Sequence, residues 1–353
     1  MRRTNREFIK ELKANGLDGL IVSSLANISY LTKVFNSDAY LLVSLKGLTY
    51  FTDSRYSEEA RIKLKGAANL KNIDGSVFKS IARACLDLGL KKVGFEERHL
   101  PYAEYKKIKE YLKARVYLIP TIGILEGMRM VKGPQELAKI RKALKITALA
   151  IEFIKDFIRP GVRELEIAAE LERFIRYQGA AGSAFNIIVA SGVNSAFPHH
   201  LPTSRKITDN DIVILDAGVD YLGYKSDLTR VFFLGKINNL ARRIYALVRN
   251  AQAMAIKKIK PGEKASVIDA ASRRYIANYG YGNYFLHSLG HGVGLDIHEA
   301  PSISDKSEEI LKEGMVFTVE PAVYLPGKFG LRVEDMVLVT KNGCEVLSGL
   351  INK

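Results

Sequence analysis

The sequence predicts two domains of overall α+β character, a smaller mixed α/β domain followed by a larger α+β one. Three observations carry this. The chain has 353 residues, and at roughly 150 residues per domain that length suggests two. Apolar residues make up 47% of it, enough for a packed core and against disorder throughout. In both halves, runs with helical spacing alternate with short apolar runs bounded by glycine or proline.

Residues 4–15 space Phe8, Ile9 and Leu12 as a helix does, and Gly16 is a natural stop. Residues 17–23 then read as a short buried strand. Residues 40–44 and 48–52 flank Lys46-Gly47 and read as a hairpin. Helical patterns follow at 55–64, 76–88 and 100–113, with strands at 92–95 and 116–119. This places the first domain at 1–122 and a linker at 123–132. The second domain, 133–353, begins with Gly133-Pro134-Gln135-Glu136, which sets proline and an acid in the first turn of a long helix. Leu137, Ile140, Leu144, Ala148 and Ile151 continue it until Pro160-Gly161. Further helices are expected at 163–177, 238–258 and 264–279. Strand-rich stretches lie at 185–190, 211–217, 224–234, 315–324 and 331–339.

Composition excludes several classes. Two cysteines, Cys85 and Cys344, can build neither a disulfide framework nor an all-thiolate zinc site, which fits a reducing compartment. No apolar run approaches about 18 residues, so no membrane span is expected. The segment Met1-Arg2-Arg3-Thr4-Asn5-Arg6-Glu7 lacks the apolar stretch of a signal peptide, and the expected location is cytoplasmic. The net charge of +15 is spread along the chain without a basic block, so it reads as a solvated surface and not as a nucleic-acid site.

The candidate chemistry gathers in the second domain. Asp216 and Asp227 lie in two apolar runs around a turn centred between Tyr221 and Leu222, which sets them opposite one another in an antiparallel hairpin. Glu320 and Glu334 flank a turn around Gly327 in the same way. Carboxylates held that close in apolar strands repel unless one is protonated or a cation lies between them. Between the two segments stands His291, in Gly290-His291-Gly292-Val293-Gly294, where the glycines permit close backbone approach. A lone aspartate is more often a turn residue, and a lone histidine is often simply packed. Two carboxylate pairs with a glycine-flanked histidine between them are harder to explain as structure, because buried charge is costly without a partner. Four carboxylates and one imidazole suit Mn²⁺, Fe²⁺, Co²⁺ or Zn²⁺, and two bridged ions better than one.

These residues in this order give the chain a resemblance to the pita-bread metallopeptidases: methionine aminopeptidase, aminopeptidase P and prolidase. The signature is Asp216, then Asp227 in Ser-Asp-Leu-Thr-Arg, His291 in Gly-His-Gly, Glu320 in Val-Glu-Pro and Glu334 in Arg-Val-Glu-Asp. The resemblance covers residues from about 125 onward, and the first domain resembles the creatinase-type N-terminal domain of the proline-peptidase branch. It implies a pita-bread catalytic domain with two divalent ions, Mn²⁺ or Co²⁺ first and Zn²⁺ or Fe²⁺ as alternatives. Asp216 would bind one ion, His291 and Glu320 the other, and Asp227 and Glu334 both. Water made acidic by the cations would attack, with Glu320 taking its proton. His199, in Ser-Ala-Phe-Pro-His, and His298, in His-Glu-Ala-Pro, match the two non-ligand histidines of the family and would hydrogen-bond the substrate. Arg332 would orient Glu334 or contact substrate. Phe185 and Tyr224 would line a proline pocket or pack in the core. His200 is expected at the surface or the pocket rim, and His287 as packing or support.

The resemblance implies hydrolysis of Xaa-Pro bonds in short proline-containing peptides by a homodimer, with no nucleic-acid or membrane partner. An Xaa-Pro amide has no N–H and a fixed φ, so it needs a dedicated site. Many prolidases carry arginine directly after the proline of the His-Glu-Xaa-Pro word, where this chain has Ser302. That departure favours Xaa-Pro aminopeptidase, with Xaa-Pro dipeptidase as the alternative. A non-catalytic peptide-binding pita-bread protein, or metal-free creatinase-like chemistry, would be expected to have lost ligands that are all present here.

Overall fold

The computed structural model describes residues 3–35 and 38–349. Met1 and Arg2 of the N-terminal segment, and the outer ends of both expected domains, lie outside these residues. The chain divides into two compact units, Met1–Arg129 and Met130–Lys353.

The first unit is built on a six-stranded sheet. Its strands run in the order Asn69–Asn72, Gly47–Thr52, Tyr40–Ser44, Gly19–Val22, Lys92–Glu96 and Tyr117–Thr121. The hairpin expected around Lys46-Gly47 pairs Tyr40 with Phe51 and Ser44 with Gly47. Gly19–Val22 pairs antiparallel with this hairpin and parallel with Lys92–Glu96. Ile81 and Cys85 of helix Val77–Asp87 and Ile108 and Leu112 of helix Tyr102–Leu112 are buried in one core with Ile21, Leu42 and Phe51.

Three elements in this part of the chain were not expected. Helix Leu25–Thr32 is buried on almost every side, so it shows no amphipathic period, although Ser24 caps it by accepting from the Asn27 N–H. Strand Asn69–Asn72 is a polar, mostly exposed edge. Helix Ile124–Met130 occupies most of the stretch expected as a linker. Its Arg129 and Glu126 side chains both bond to Asn27, which anchors a segment with little apolar surface of its own. Residues from Met130 onward belong to the second unit, where Val131 bridges to Met315.

In the second unit the long helix spans Pro134–Lys155, followed by Glu164–Tyr177, Asn239–Ile256 and Ala265–Asn278. A three-stranded sheet joins Ile188–Ser191, Ile212–Ala217 and Leu228–Phe233. A five-stranded sheet runs Glu299–Ile303, Gly290–Gly292, Val316–Val319, Asp335–Thr340 and Gly343–Val346. Ala322–Leu325 and Phe329–Arg332 form a separate hairpin. Helices Asn239–Ile256 and Ala265–Asn278 bury Ile244, Val248 and Ile268 in one core with Phe317, Val337 and Leu331 of the strands. Among the described residues no helix is long and apolar enough to cross a membrane.

Three of the long strands expected from the sequence are interrupted. The stretch 224–234 breaks between Tyr224–Lys225 and Leu228–Phe233, at Asp227. The stretch 315–324 breaks between Val316–Val319 and Ala322–Leu325, at Glu320. The third breaks between Phe329–Arg332 and Asp335–Thr340, at Glu334. The pairing registers on the two sides of each break agree, so the acids keep the faces that regular strands would give them.

Candidate metal centre

The first hairpin differs from its expected register. Its turn residues Leu222 and Gly223 have φ of 51° and 83°, the positive values that a tight two-residue hairpin turn requires. The turn therefore centres one residue later than expected. Asp216 pairs with Thr229, not with Asp227. A slip of two residues keeps every side chain on its face, so Asp227 and Asp216 still project to the same side as diagonal neighbours. Gly218 makes the approach possible, because a Cβ there would lie 1.9 Å from the Ser226 carbonyl oxygen. Around Gly327 the register is the expected one: Ala322 pairs with Arg332, and Val319 with Asp335.

His291 lies in the middle of the short strand Gly290–Gly292. A Cβ on Gly290 would sit 2.0 Å from the Thr318 carbonyl, and one on Gly292 2.2 Å from that of Ala300. The flanking glycines are thus required by close backbone packing on both sides.

These elements surround a cavity of about 450 Å³. Asp216, Asp227, His291, Glu320, Glu334, His199, His298, Phe185 and Arg332 all line it. Asp227, His291 and Glu334 each offer one ligand atom, and those atoms lie within 4.8 Å of one another. His291 Nε2 is 3.3 Å from Glu320 Oε1 and 3.6 Å from Asp227 Oδ2.

The electrostatics are those of crowded acids. Burial raises Asp227 well above the usual carboxylate range, and the negative charges of Glu334, Asp216 and Glu320 raise it further. Burial likewise raises Glu334, reinforced by Glu320 and Asp216. Burial opposes charge on Glu320 too, but the hydrogen bond and positive charge of His291 prevail and hold it at about 2. His291 is raised in return, against its own burial, mainly by Glu320. Burial lowers His298, whose ring centroid is 4.2 Å from that of His291.

The residues fit divalent cations. Asp216 Oδ1 and Glu334 Oε1 are buried without a hydrogen-bond partner among the described residues. Their second oxygens are held: Arg332 Nη2 donates to Asp216 Oδ2 at 2.7 Å, and Thr229 Oγ1 to Glu334 Oε2 at 2.7 Å. Each carboxylate is thus fixed by one oxygen and offers the other, as a metal ligand with its supporting partner does. Arg332 and His291 do not balance the four acids of the cavity, of which Asp216, Asp227 and Glu334 are buried, and cations would.

Several expectations change. Arg332 serves Asp216 directly and reaches Glu334 only through Thr229, to whose hydroxyl its Nε donates at 3.1 Å. Tyr224 is not brought to the cavity: it is buried, with its hydroxyl donating to Glu136 Oε1 at 2.9 Å. Glu136 also accepts from the Gly133 N–H at the start of the long helix, so Tyr224 braces that helix end. His200 is no surface residue, since its ring bonds to buried Glu164. His287 lines the cavity with Nε2 3.2 Å from the Tyr324 hydroxyl, in a supporting position.

Three supporting residues were not anticipated: Thr229, Thr318 and Tyr324. Thr318 Oγ1 accepts from the His291 N–H and donates to Glu320 Oε1. Tyr324 accepts from Arg332 Nη1. The period of two was the available signal, since Thr229 lies two residues from Asp227 and Thr318 two from Glu320.

Residues 138–341 match the family described as Metallopeptidase family M24, and residues 6–131 match the Creatinase/Prolidase N-terminal domain. An Xaa-Pro dipeptidase of Pyrococcus horikoshii is 34% identical over 99% of this chain and 97% of its own. The solved structure of an Xaa-Pro dipeptidase from Bacillus anthracis is 38% identical, covers 98% of each chain and superposes with a TM-score of 0.93. That of an X-Pro aminopeptidase from Thermotoga maritima is 33% identical, covers 98% of this chain and 99% of its own, with a TM-score of 0.89. With its creatinase-type N-terminal domain, its pita-bread catalytic domain and its cluster of buried acids around His291, the chain belongs to metallopeptidase family M24.

Proposed function

We propose that the protein hydrolyses the Xaa-Pro bond of short peptides with two divalent cations, Mn²⁺ or Co²⁺, held by Asp216, Asp227, His291, Glu320 and Glu334. The observation that carries this is the pair of buried, unpartnered oxygens, Asp216 Oδ1 and Glu334 Oε1, in a cavity that also holds His291. Bound cations would acidify water and polarise the scissile carbonyl.

The chain's own residues supply the rest. The Glu320 carboxylate accepts the proton of the attacking water and delivers it to the proline nitrogen as the C–N bond breaks. His199 and His298, exposed side chains at the cavity, donate to the substrate carbonyl as negative charge develops on its oxygen. Phe185 offers the proline ring an apolar wall.

Release of the first residue from Xaa-Pro peptides longer than a dipeptide is the reading we favour. A dipeptide's free proline carboxylate calls for a cation, and Ser302 supplies none. Arg332 is committed to Asp216, Tyr324, Thr229 and the Pro198 carbonyl. The dipeptidase reading has its own support in the Bacillus anthracis and Pyrococcus horikoshii relatives. The test is turnover of Ala-Pro and Ala-Pro-Ala by purified protein with Mn²⁺ or Co²⁺. Metal-dependent release of alanine that chelation abolishes is expected. A protein that binds peptides but leaves both intact would overturn the reading.

A further inference from the structure

The segment 192–203 carries His199 to the cavity, and most of it has no regular secondary structure beyond the short turn Gly192–Ala196. Its position is set from outside. Glu164, in the first turn of helix Glu164–Tyr177, is completely buried. Its Oε1 accepts from the Ser191 N–H at 2.8 Å, the Ser191 hydroxyl at 2.6 Å and Asn194 Nδ2 at 3.1 Å. Its Oε2 accepts from the Thr203 N–H at 3.0 Å and the Thr203 hydroxyl at 2.7 Å, with Asn194 Nδ2 at 3.3 Å and His200 Nε2 at 2.9 Å. One carboxylate thus gathers both ends of the segment and two points within it. Burial opposes its charge, yet these donors hold the carboxyl down at about 2.

The opposite side of the segment is clamped by the hairpin of the metal centre. Arg332 Nη1 donates to the Pro198 carbonyl at 3.1 Å, and the Gly330 N–H donates to Ser195 Oγ at 2.9 Å. His199 therefore sits between Pro198, tied to Arg332, and His200, tied to Glu164. Its own side chain is exposed, so its placement rests on these two neighbours.

We infer that Glu164 is a positioning residue for the reaction, a buried carboxylate that fixes the His199 segment over the metal centre without touching substrate. This rests on the assignment of His199 as a substrate-binding group. A loop anchored by charge-assisted hydrogen bonds holds its functional side chain within the narrow tolerance that catalysis requires.

Two measurements on the metal-loaded protein test it. In the first, Glu164→Gln turns one acceptor oxygen into an NH₂ group that faces donors. Amide hydrogen exchange across 191–203 should rise at least tenfold while the strands of the five-stranded sheet keep their protection. The milder Thr203→Val, which removes one donor, should act in the same direction and covers the case in which Glu164→Gln fails to fold. Unchanged exchange in the segment, or a uniform rise across the second unit, would overturn the inference. The second is a double-mutant cycle in Xaa-Pro turnover. Glu164→Gln should lower kcat about tenfold or more, yet add little once His199→Ala is present, because both act through one side chain. Effects that multiply would show Glu164 to be only structural. A wild-type enzyme inactive on Xaa-Pro peptides would sink the proposed reaction, and hydrogen exchange would still decide the anchoring.

Discussion

Arg332 and Asp216 form an ion pair at 2.7 Å with side chains only 5% and 11% exposed. The pair fixes one carboxylate oxygen and leaves the other aimed into the cavity. A lysine at this position keeps the charge but loses the planar fork that also reaches Thr229, Tyr324 and the Pro198 carbonyl. Arg332→Lys is therefore expected to weaken metal affinity by about 10- to 100-fold, the usual effect of losing a ligand's supporting partner. Metal titration by calorimetry checks it, and unchanged affinity would remove Arg332 from the metal's support.

Thr229 joins the two halves of the site, donating to Glu334 Oε2 and accepting from Arg332 Nε. Thr229→Val keeps the shape and strands both partners in a buried position. A loss of about 1–3 kcal/mol in stability is expected. Urea unfolding of the metal-free protein measures it.

The metal-free protein should lose stability as pH rises. Asp227 and Glu334 are raised in the folded state by burial and by neighbouring negative charge. A raised folded-state pKa favours folding below the unfolded value, and that contribution disappears as pH climbs through the folded value. His291, raised by Glu320, acts with the same sign. Glu320, held at about 2, has the opposite dependence, but its effect lies below the ordinary carboxylate range. Burial lowers His287 and His298, and their opposite dependence ends near the ordinary histidine value. Above about pH 7 the chelated protein should thus show a falling Tm, and saturating Mn²⁺ should flatten the slope by neutralising the cluster. Parallel slopes with and without metal would mean that the acids are not the metal's ligands.

The sequence revealed most of the fold where elements are amphipathic or bounded by glycine and proline. It was silent on Leu25–Thr32, which is buried all round, and on Ile124–Met130, which polar contacts hold in place. At the site, the residue types and their order were legible because acids inside apolar strands are conspicuous. The breaks at Asp227, Glu320 and Glu334 were not, because flanking apolar residues make each stretch look continuous. The register of the first hairpin was missed by one residue at its turn, since Leu222 does not advertise a positive φ. Tyr224 could not be assigned to pocket or core from the sequence, because an aromatic beside the acids fits either until its hydroxyl is seen bonded to Glu136.

Gly218 shows how closely the first hairpin is packed. A Cβ there would meet the Ser226 carbonyl oxygen at 1.9 Å and Phe185 Cε1 at 2.8 Å. The first neighbour is backbone and cannot rotate away. Gly218→Ala should force Asp216 and Asp227 apart, destabilise the fold on the order of 1–3 kcal/mol and reduce bound metal. Metal content after gel filtration, read beside thermal unfolding, tests both effects.

Under the proposed function, chain-length preference is expected to turn on Ser302. It lies exposed on Glu299–Ile303, paired in register with His291 on the neighbouring strand, so a long side chain here can reach toward the cavity. A peptide that continues past proline presents an amide there, whereas a dipeptide presents a carboxylate that must be desolvated without a cation. Ser302→Arg would supply that cation as a planar two-pronged donor suited to a carboxylate. The ratio of kcat/KM for Ala-Pro to that for Ala-Pro-Ala is expected to rise about tenfold, the equivalent of one good charge-assisted contact. The gain should appear mainly as a lower KM for Ala-Pro and fade at high ionic strength, because a partly solvated contact is screened by salt. If the wild-type enzyme already prefers Ala-Pro and the substitution changes nothing, the proline carboxylate is held elsewhere and the dipeptidase reading replaces the one favoured above.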